Sequence, residues 1–131
     1  MPHLTLEYTG NLWETPPDRA LLLDLHRLLE SVAGITIENC KSRWREVEDW
    51  VVGDGKEESA FVHLDIRFLE GRREELKRAV GEEAVEILKA HFRPLPEGLD
   101  LQITVEIRDI RRATYFKDPP GTLGPPPLAI V

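Results

Sequence analysis

Residues 60–69 read Ala60-Phe61-Val62-His63-Leu64-Asp65-Ile66-Arg67-Phe68-Leu69. Val62, Leu64, Ile66 and Phe68 fall on one face, and Phe61, His63, Asp65 and Arg67 on the other, the two-residue period of a strand. Glu70 and Gly71 come next, then a stretch from Arg72 to Phe92 whose apolar stripe is Leu76, Val80, Ala84, Ile87 and Leu88, with His91 at its end. That spacing predicts a helix, which Pro94 terminates. From Leu99 to Arg108 the two-residue alternation returns, with Leu99, Leu101, Ile103, Val105 and Ile107 on one side. The segment is therefore a strand–helix–strand unit.

The same order occurs upstream. His3 to Tyr8 alternates Leu4, Leu6 and Tyr8 with polar residues. Thr15-Pro16-Pro17-Asp18 reads as a helix start, with Thr15 as cap and Pro16 in the first turn. The helix runs to about Ala33 on a stripe of Leu21, Leu22, Leu25, Leu28, Leu29 and Val32, and Gly34 stops it. A second extended region runs from Ile35 towards Trp50, including Lys41 to Val47, and Gly53-Asp54-Gly55 marks a turn. Strands starting at His3 and Ala60, and helices at Pro16 and Arg72, share nearly one offset although the residues barely match. Two β-α-β units with right-handed crossovers give an α+β fold, a four-stranded sheet carrying both helices on one face. The other face would be bare and, with Phe61 on it, partly apolar, which points to association.

With 131 residues and 15.0 kDa, the chain suffices for one domain. A net charge of −7 argues against nucleic acid or an anionic membrane surface as the main partner. One cysteine, Cys40, excludes an intrachain disulfide, and no leader-like segment is visible, so the expected location is cytoplasmic. The expected division is a domain over residues 1–117 and a tail over 118–131. With five prolines and two glycines, the tail is neither helix nor central strand. Two readings stand for it, a loose end or an arm laid on a neighbouring subunit.

Phosphate-binding loops, a serine elbow and metal-ligand spacing among His3, His26, His63 and His91 are all missing, so no metal is expected. Cys40 reads as a small core or edge residue. Two features carry chemistry. If Met1 is removed, Pro2 presents a free secondary amine, and a strand begins directly after it. An α-amino group near pKa 8 falls towards neutrality when buried or set beside cations, and then serves as a base at pH 7. A proline at the second position is also common without meaning. The second feature is arginine: Arg43 and Arg45 on a strand, Arg72 and Arg73 at a helix start. Guanidinium forks suit carboxylates, and helix-start amides add to an anion site.

Met1-Pro2-His3, Ser42-Arg43, Trp50, Asp54-Gly55, Ala60-Phe61-Val62-His63, Gly71-Arg72, Leu88-Lys89, His91-Phe92, Glu106-Ile107 and Phe116-Lys117 stand in one order. Together they resemble the 5-carboxymethyl-2-hydroxymuconate delta-isomerase family of the tautomerase superfamily, over residues 1–117. The resemblance implies a homotrimer, catalysis by Pro2, and Arg43 and Arg72 holding carboxylates of a small polycarboxylate substrate. It implies no cofactor and a place in homoprotocatechuate degradation. His3, His63, Phe116 and Lys117 fall in or beside the shared motifs and are candidates for the surrounding shell. The chain departs from the pattern at Lys41, where arginine is expected, and at Arg73, where serine is expected; Lys41 keeps the charge without the fork and remains a candidate substrate-binding residue beside Arg43 and Arg72. Two alternatives remain: a phenylpyruvate-type tautomerase, or a non-enzymatic module that binds a small carboxylate.

Overall fold

The computed structural model describes residues 2–119. Its elements run β1 (His3–Thr9), α1 (Arg19–Ala33), β2 (Lys41–Val47), β3 (Ser59–Leu69), α2 (Glu74–Phe92) and β4 (Asp100–Ile110). Short 3-10 turns lie at Gly10–Leu12, Ile37–Asn39 and Arg112–Thr114. The sheet order is β2-β1-β3-β4, with β1 parallel to β2, β3 parallel to β4, and β1 antiparallel to β3. The expected α+β architecture of two β-α-β units is the one observed. The reading of residues 118–131 as a tail lies outside the described residues, apart from Asp118 and Pro119.

One face of the sheet makes the core. Leu4 and Leu6 of β1, with Val62, Leu64, Ile66 and Phe68 of β3, are buried against Leu21, Leu25 and Leu29 of α1 and Val80, Ala84, Leu88 and Phe92 of α2. At about 25 cal/mol per Å² of apolar surface removed from water, these side chains supply the main driving force. α2 places Glu74 and Glu75 in its first turn and Lys89 and His91 in its last, which suits the helix dipole.

Four expectations are corrected. First, α1 begins at Arg19, and Asp18 is its cap, accepting from the Leu21 amide at 2.8 Å. Pro17 forces Pro16 out of helical geometry, so no helix can start at Pro16. Thr15 caps nothing: its Oγ1 is buried without a hydrogen-bond partner. Second, Ile35-Thr36-Ile37 is not extended strand. Ile35 is buried beside the core, and a 3-10 turn begins at Ile37. Gly34 ends α1 with φ 66°, and Ile35 then donates back to Leu29.

Third, α2 begins at Glu74. Arg73 is extended at φ −72°, ψ 154°, and Arg72 precedes it, so neither arginine lies in the first helical turn. Fourth, the open face is charged more than apolar. It carries Lys41, Arg43 and Arg45 of β2, His3, Thr5 and Glu7 of β1, and Asp65 and Arg67 of β3, with Phe61 half-buried among them. Among the described residues, no helix is long and apolar enough to cross a membrane.

Candidate active site

The starts of β1 and β2 and the ends of β3 and β4 meet at one end of the sheet. Pro2 is buried there, and its carbonyl accepts from the Lys41 amide at 3.1 Å. That bond continues the β1–β2 ladder by one step and fixes the backbone beside the proline nitrogen.

His3, one residue on, turns to the open face. Arg43 of β2 donates to His3 Nδ1 from Nη2 at 3.2 Å and from Nη1 at 3.3 Å, and Nη1 also reaches the Lys41 carbonyl at 3.5 Å. His3 Nε2 bonds the Tyr115 hydroxyl at 3.0 Å. Burial, then Arg43 and Lys41, holds the imidazole below its usual pKa.

Two bonds beyond the end of β4 bring Tyr115 to this point. The Glu70 carboxylate accepts from the Arg112 amide at 2.7 Å, and the Glu70 amide donates to the Ile110 carbonyl at 3.0 Å. They turn the chain from β4 back across β3 towards β1. Sequence reasoning missed Tyr115, which lies beyond the last periodic segment; only the neighbouring Phe116-Lys117 motif pointed to this stretch.

His3, Arg43 and Tyr115 line an open depression of about 610 Å³ together with Thr5, Glu7, Arg45, His63, Asp65, Arg67, Arg108 and Ile110. Its charges are unevenly matched. Asp65 holds Arg67 at 2.8 Å and pairs with Arg108 at 3.1 Å, the second contact without hydrogen-bond geometry. Among the described residues, Arg43 has no carboxylate partner and Arg45 has no hydrogen bond or ion pair. The β2 side of the depression is therefore the electropositive side, suited to carboxylate capture by a protein of net negative charge.

Arg72 reaches the same end of the sheet from the other face. Its guanidinium carbon stands 5.1 Å from the centre of the Phe68 ring, and Nη1 donates to the Leu69 carbonyl at 3.2 Å. Burial, then the nearby Arg112, lowers its pKa. Phe68 is the β3 residue beside Arg67, the partner of His3. At the sheet end where Pro2 precedes β1, one arginine thus stands on the open face and another on the helix face.

The remaining candidates are more peripheral. Lys41 is exposed, with Nζ donating to the Asn39 carbonyl at 3.2 Å. Phe116 is 86% exposed, and Lys117 is half-buried. His63 lines the depression but bonds Thr104 Oγ1 at 2.7 Å and faces Glu106 at 3.9 Å. It stands four residues along β3 from Arg67, about 13 Å away. Of the other two histidines, His26 bonds Ser42 Oγ at 2.8 Å, and His91 donates to the Pro16 carbonyl at 2.9 Å. Burial pushes the Cys40 thiol up, which opposes thiolate chemistry. The described residues contain no group of three or more His, Cys, Asp or Glu that could hold a metal.

A family model described as 5-carboxymethyl-2-hydroxymuconate isomerase matches residues 2–120. The chain belongs to this isomerase family. The protein is accordingly an enzyme, and the binding-module alternative is set aside. It is 28% identical over 117 residues to the 5-carboxymethyl-2-hydroxymuconate Delta-isomerase of Escherichia coli, spanning 89% of this chain and 93% of that one. A crystal structure of a 5-carboxymethyl-2-hydroxymuconate isomerase from Deinococcus radiodurans superposes with a TM-score of 0.79 at 31% identity, covering 89% of this chain and 88% of that one. A fused 4-OT solved as a symmetric trimer shares the fold, with a TM-score of 0.63 at 17% identity over 83% of this chain and 87% of that one.

Proposed function

We propose that this member of the isomerase family converts 5-carboxymethyl-2-hydroxymuconate to its 2-oxo isomer, with Pro2 as the proton carrier. The observation that carries the reading is the sheet end itself. Pro2 is buried and tied to β2 through its own carbonyl, at the sheet end where Arg43 bonds the neighbouring His3 on the open face and Arg72 lies over Phe68 on the helix face. Burial and nearby cations both favour the neutral form of an amine.

With Met1 removed, the Pro2 nitrogen takes the proton of the substrate's 2-hydroxyl. The electron pair left on oxygen closes the 2-oxo group and moves through the diene to a distal carbon. The Pro2 ammonium protonates that carbon, which returns the amine to its starting state. Arg43 and Arg72 hold carboxylates and stabilise the negative charge as it develops. No cofactor is needed for such a transfer. The reading places the reaction in homoprotocatechuate degradation and the chain in a homotrimer, as the symmetric trimer of the fused 4-OT relative suggests.

The test is ketonisation of 2-hydroxymuconate-type dienols measured by absorbance, on samples whose intact mass gives the fraction lacking Met1. An amide nitrogen has its lone pair in resonance and is no base near neutral pH. Activity should therefore scale with the fraction lacking Met1. Full turnover from chains that all retain Met1 refutes the proline mechanism, and turnover confined to phenylenolpyruvate favours the phenylpyruvate-type alternative.

A further inference from the structure

A guanidinium donates hydrogen bonds and accepts none. Nδ1 of His3 must therefore be the acceptor of the two Arg43 bonds at 3.2 and 3.3 Å. The proton of neutral His3 then sits on Nε2, which donates to the Tyr115 hydroxyl at 3.0 Å. Tyr115 stabilises the one tautomer in which His3 can receive Arg43.

Counting donors shows what this leaves. An Nδ1 contacted by both Nη1 and Nη2 lies off the end of the guanidinium, between the two terminal nitrogens. The second Nη1 hydrogen goes to the Lys41 carbonyl at 3.5 Å. Among the described residues, Nε–H and the second Nη2–H have no acceptor. Those two are neighbours on one edge and form a fork that matches a carboxylate at two points. β2 is an edge strand, so without His3 the exposed Arg43 side chain would sample many rotamers.

We propose that His3 and Tyr115 are positioning residues, which hold the end of the Arg43 guanidinium so that its Nε–Nη2 edge stays free for a substrate carboxylate. The inference rests on reading Arg43 as a carboxylate anchor. Protonation of Nδ1 would turn an acceptor into a donor facing a cation and release Arg43. The groups facing His3 are Arg43 and Lys41 of β2, Arg67 of β3 and the Tyr115 hydroxyl, while Glu7 of β1 and Asp65 of β3 line the same depression, Asp65 already paired with Arg67 and Arg108. Arg43, Lys41 and Arg67 favour the neutral ring, so the arrangement holds at neutral pH and is lost on acidification.

Steady-state kinetics with the 2-hydroxymuconate-type dienol separates the cases. His3→Leu should raise KM about tenfold, with a smaller change in kcat, and Tyr115→Phe should raise it about threefold. His3→Asn should restore KM to within about twofold of the parent, since Asn Oδ1 can stand where Nδ1 accepted. The parent KM should rise as pH falls below the ordinary histidine range, and His3→Asn should lose that limb. His3→Leu added to Arg43→Ala should cause no further loss. Wild-type KM in His3→Leu, alongside a raised KM in Arg43→Ala, would overturn the positioning role and leave the anchor standing. An unchanged KM in Arg43→Ala would remove the anchor, and the inference with it. A lower melting temperature in His3→Leu without a KM effect, or failure of His3→Asn to rescue, would make His3 merely structural.

Discussion

Arg72 lies over Phe68, with 5.1 Å between its guanidinium carbon and the ring centre, and Phe68 is itself 1% exposed. A core ring thereby serves as the seat of a charged side chain. Phe68→Leu should lower stability by about 1–3 kcal/mol, combining a cavity with loss of the cation–π contact. It should also weaken kcat/KM, since Arg72 loses its seat. Urea unfolding and turnover of the same sample check both halves; a destabilised variant with full kcat/KM would separate Arg72 from the ring.

Arg43→Ala and Arg72→Ala should each lower kcat/KM by one to three orders of magnitude, roughly 1.4–4 kcal/mol of transition-state stabilisation. An unchanged value for either variant would remove that arginine from the site. Arg43→Lys should recover only part of the loss, because an ammonium keeps the charge without the fork.

The start of α1 offers a paired test. Asp18→Ala should lower stability by about 1 kcal/mol, because the Leu21 amide loses its acceptor. Thr15→Val should be neutral or stabilising, since the threonine hydroxyl is buried without a partner. Denaturant midpoints in the opposite order would restore the cap to Thr15.

The alternation of Leu4 and Leu6, of Val62 to Phe68, and of Leu101 to Ile107 made the strands legible, since a half-buried sheet imposes its period on the sequence. The leucine stripe of α1 was equally plain. The ends of the helices were not. Thr15-Pro16 looked like a start until the effect of Pro17 on Pro16 was felt, and Arg72-Arg73 until Gly71 proved to lead into an extended link. In the candidate site, the arginines were visible as residue types on a strand and beside a helix. Their approach from opposite faces was not, because that depends on the registers of β1 with β2 and with β3. Tyr115 gave no periodic signal at all: a carboxylate in another part of the chain, Glu70, sets its position.

Burial holds both His3 and His26 below the ordinary histidine pKa, with Arg43 adding to the effect at His3. Between those lowered values and the unfolded value near 6.5, the unfolded chain binds protons that the folded chain refuses. Stability should therefore fall as pH drops through 6.5 and level off, as far as these two groups are concerned, below their folded pKa values. Urea midpoints between pH 8 and pH 5 should show the slope, and His26→Gln should reduce it. An unaltered slope in that variant would clear His26 of the effect.

The bond between His3 and Tyr115 joins residues 112 positions apart. On a ribosome, His3 is made early and Tyr115 only after all four strands have been synthesised. Neither β-α-β unit contains this link, and neither hairpin nor helix formation can supply it; closing so long a span comes late in folding. A nascent or clipped chain ending at β4 could thus assemble its sheet while the imidazole still lacked its hydroxyl partner. Structural completeness and chemical readiness would then arrive as separate events, the second waiting on a tyrosine outside the sheet.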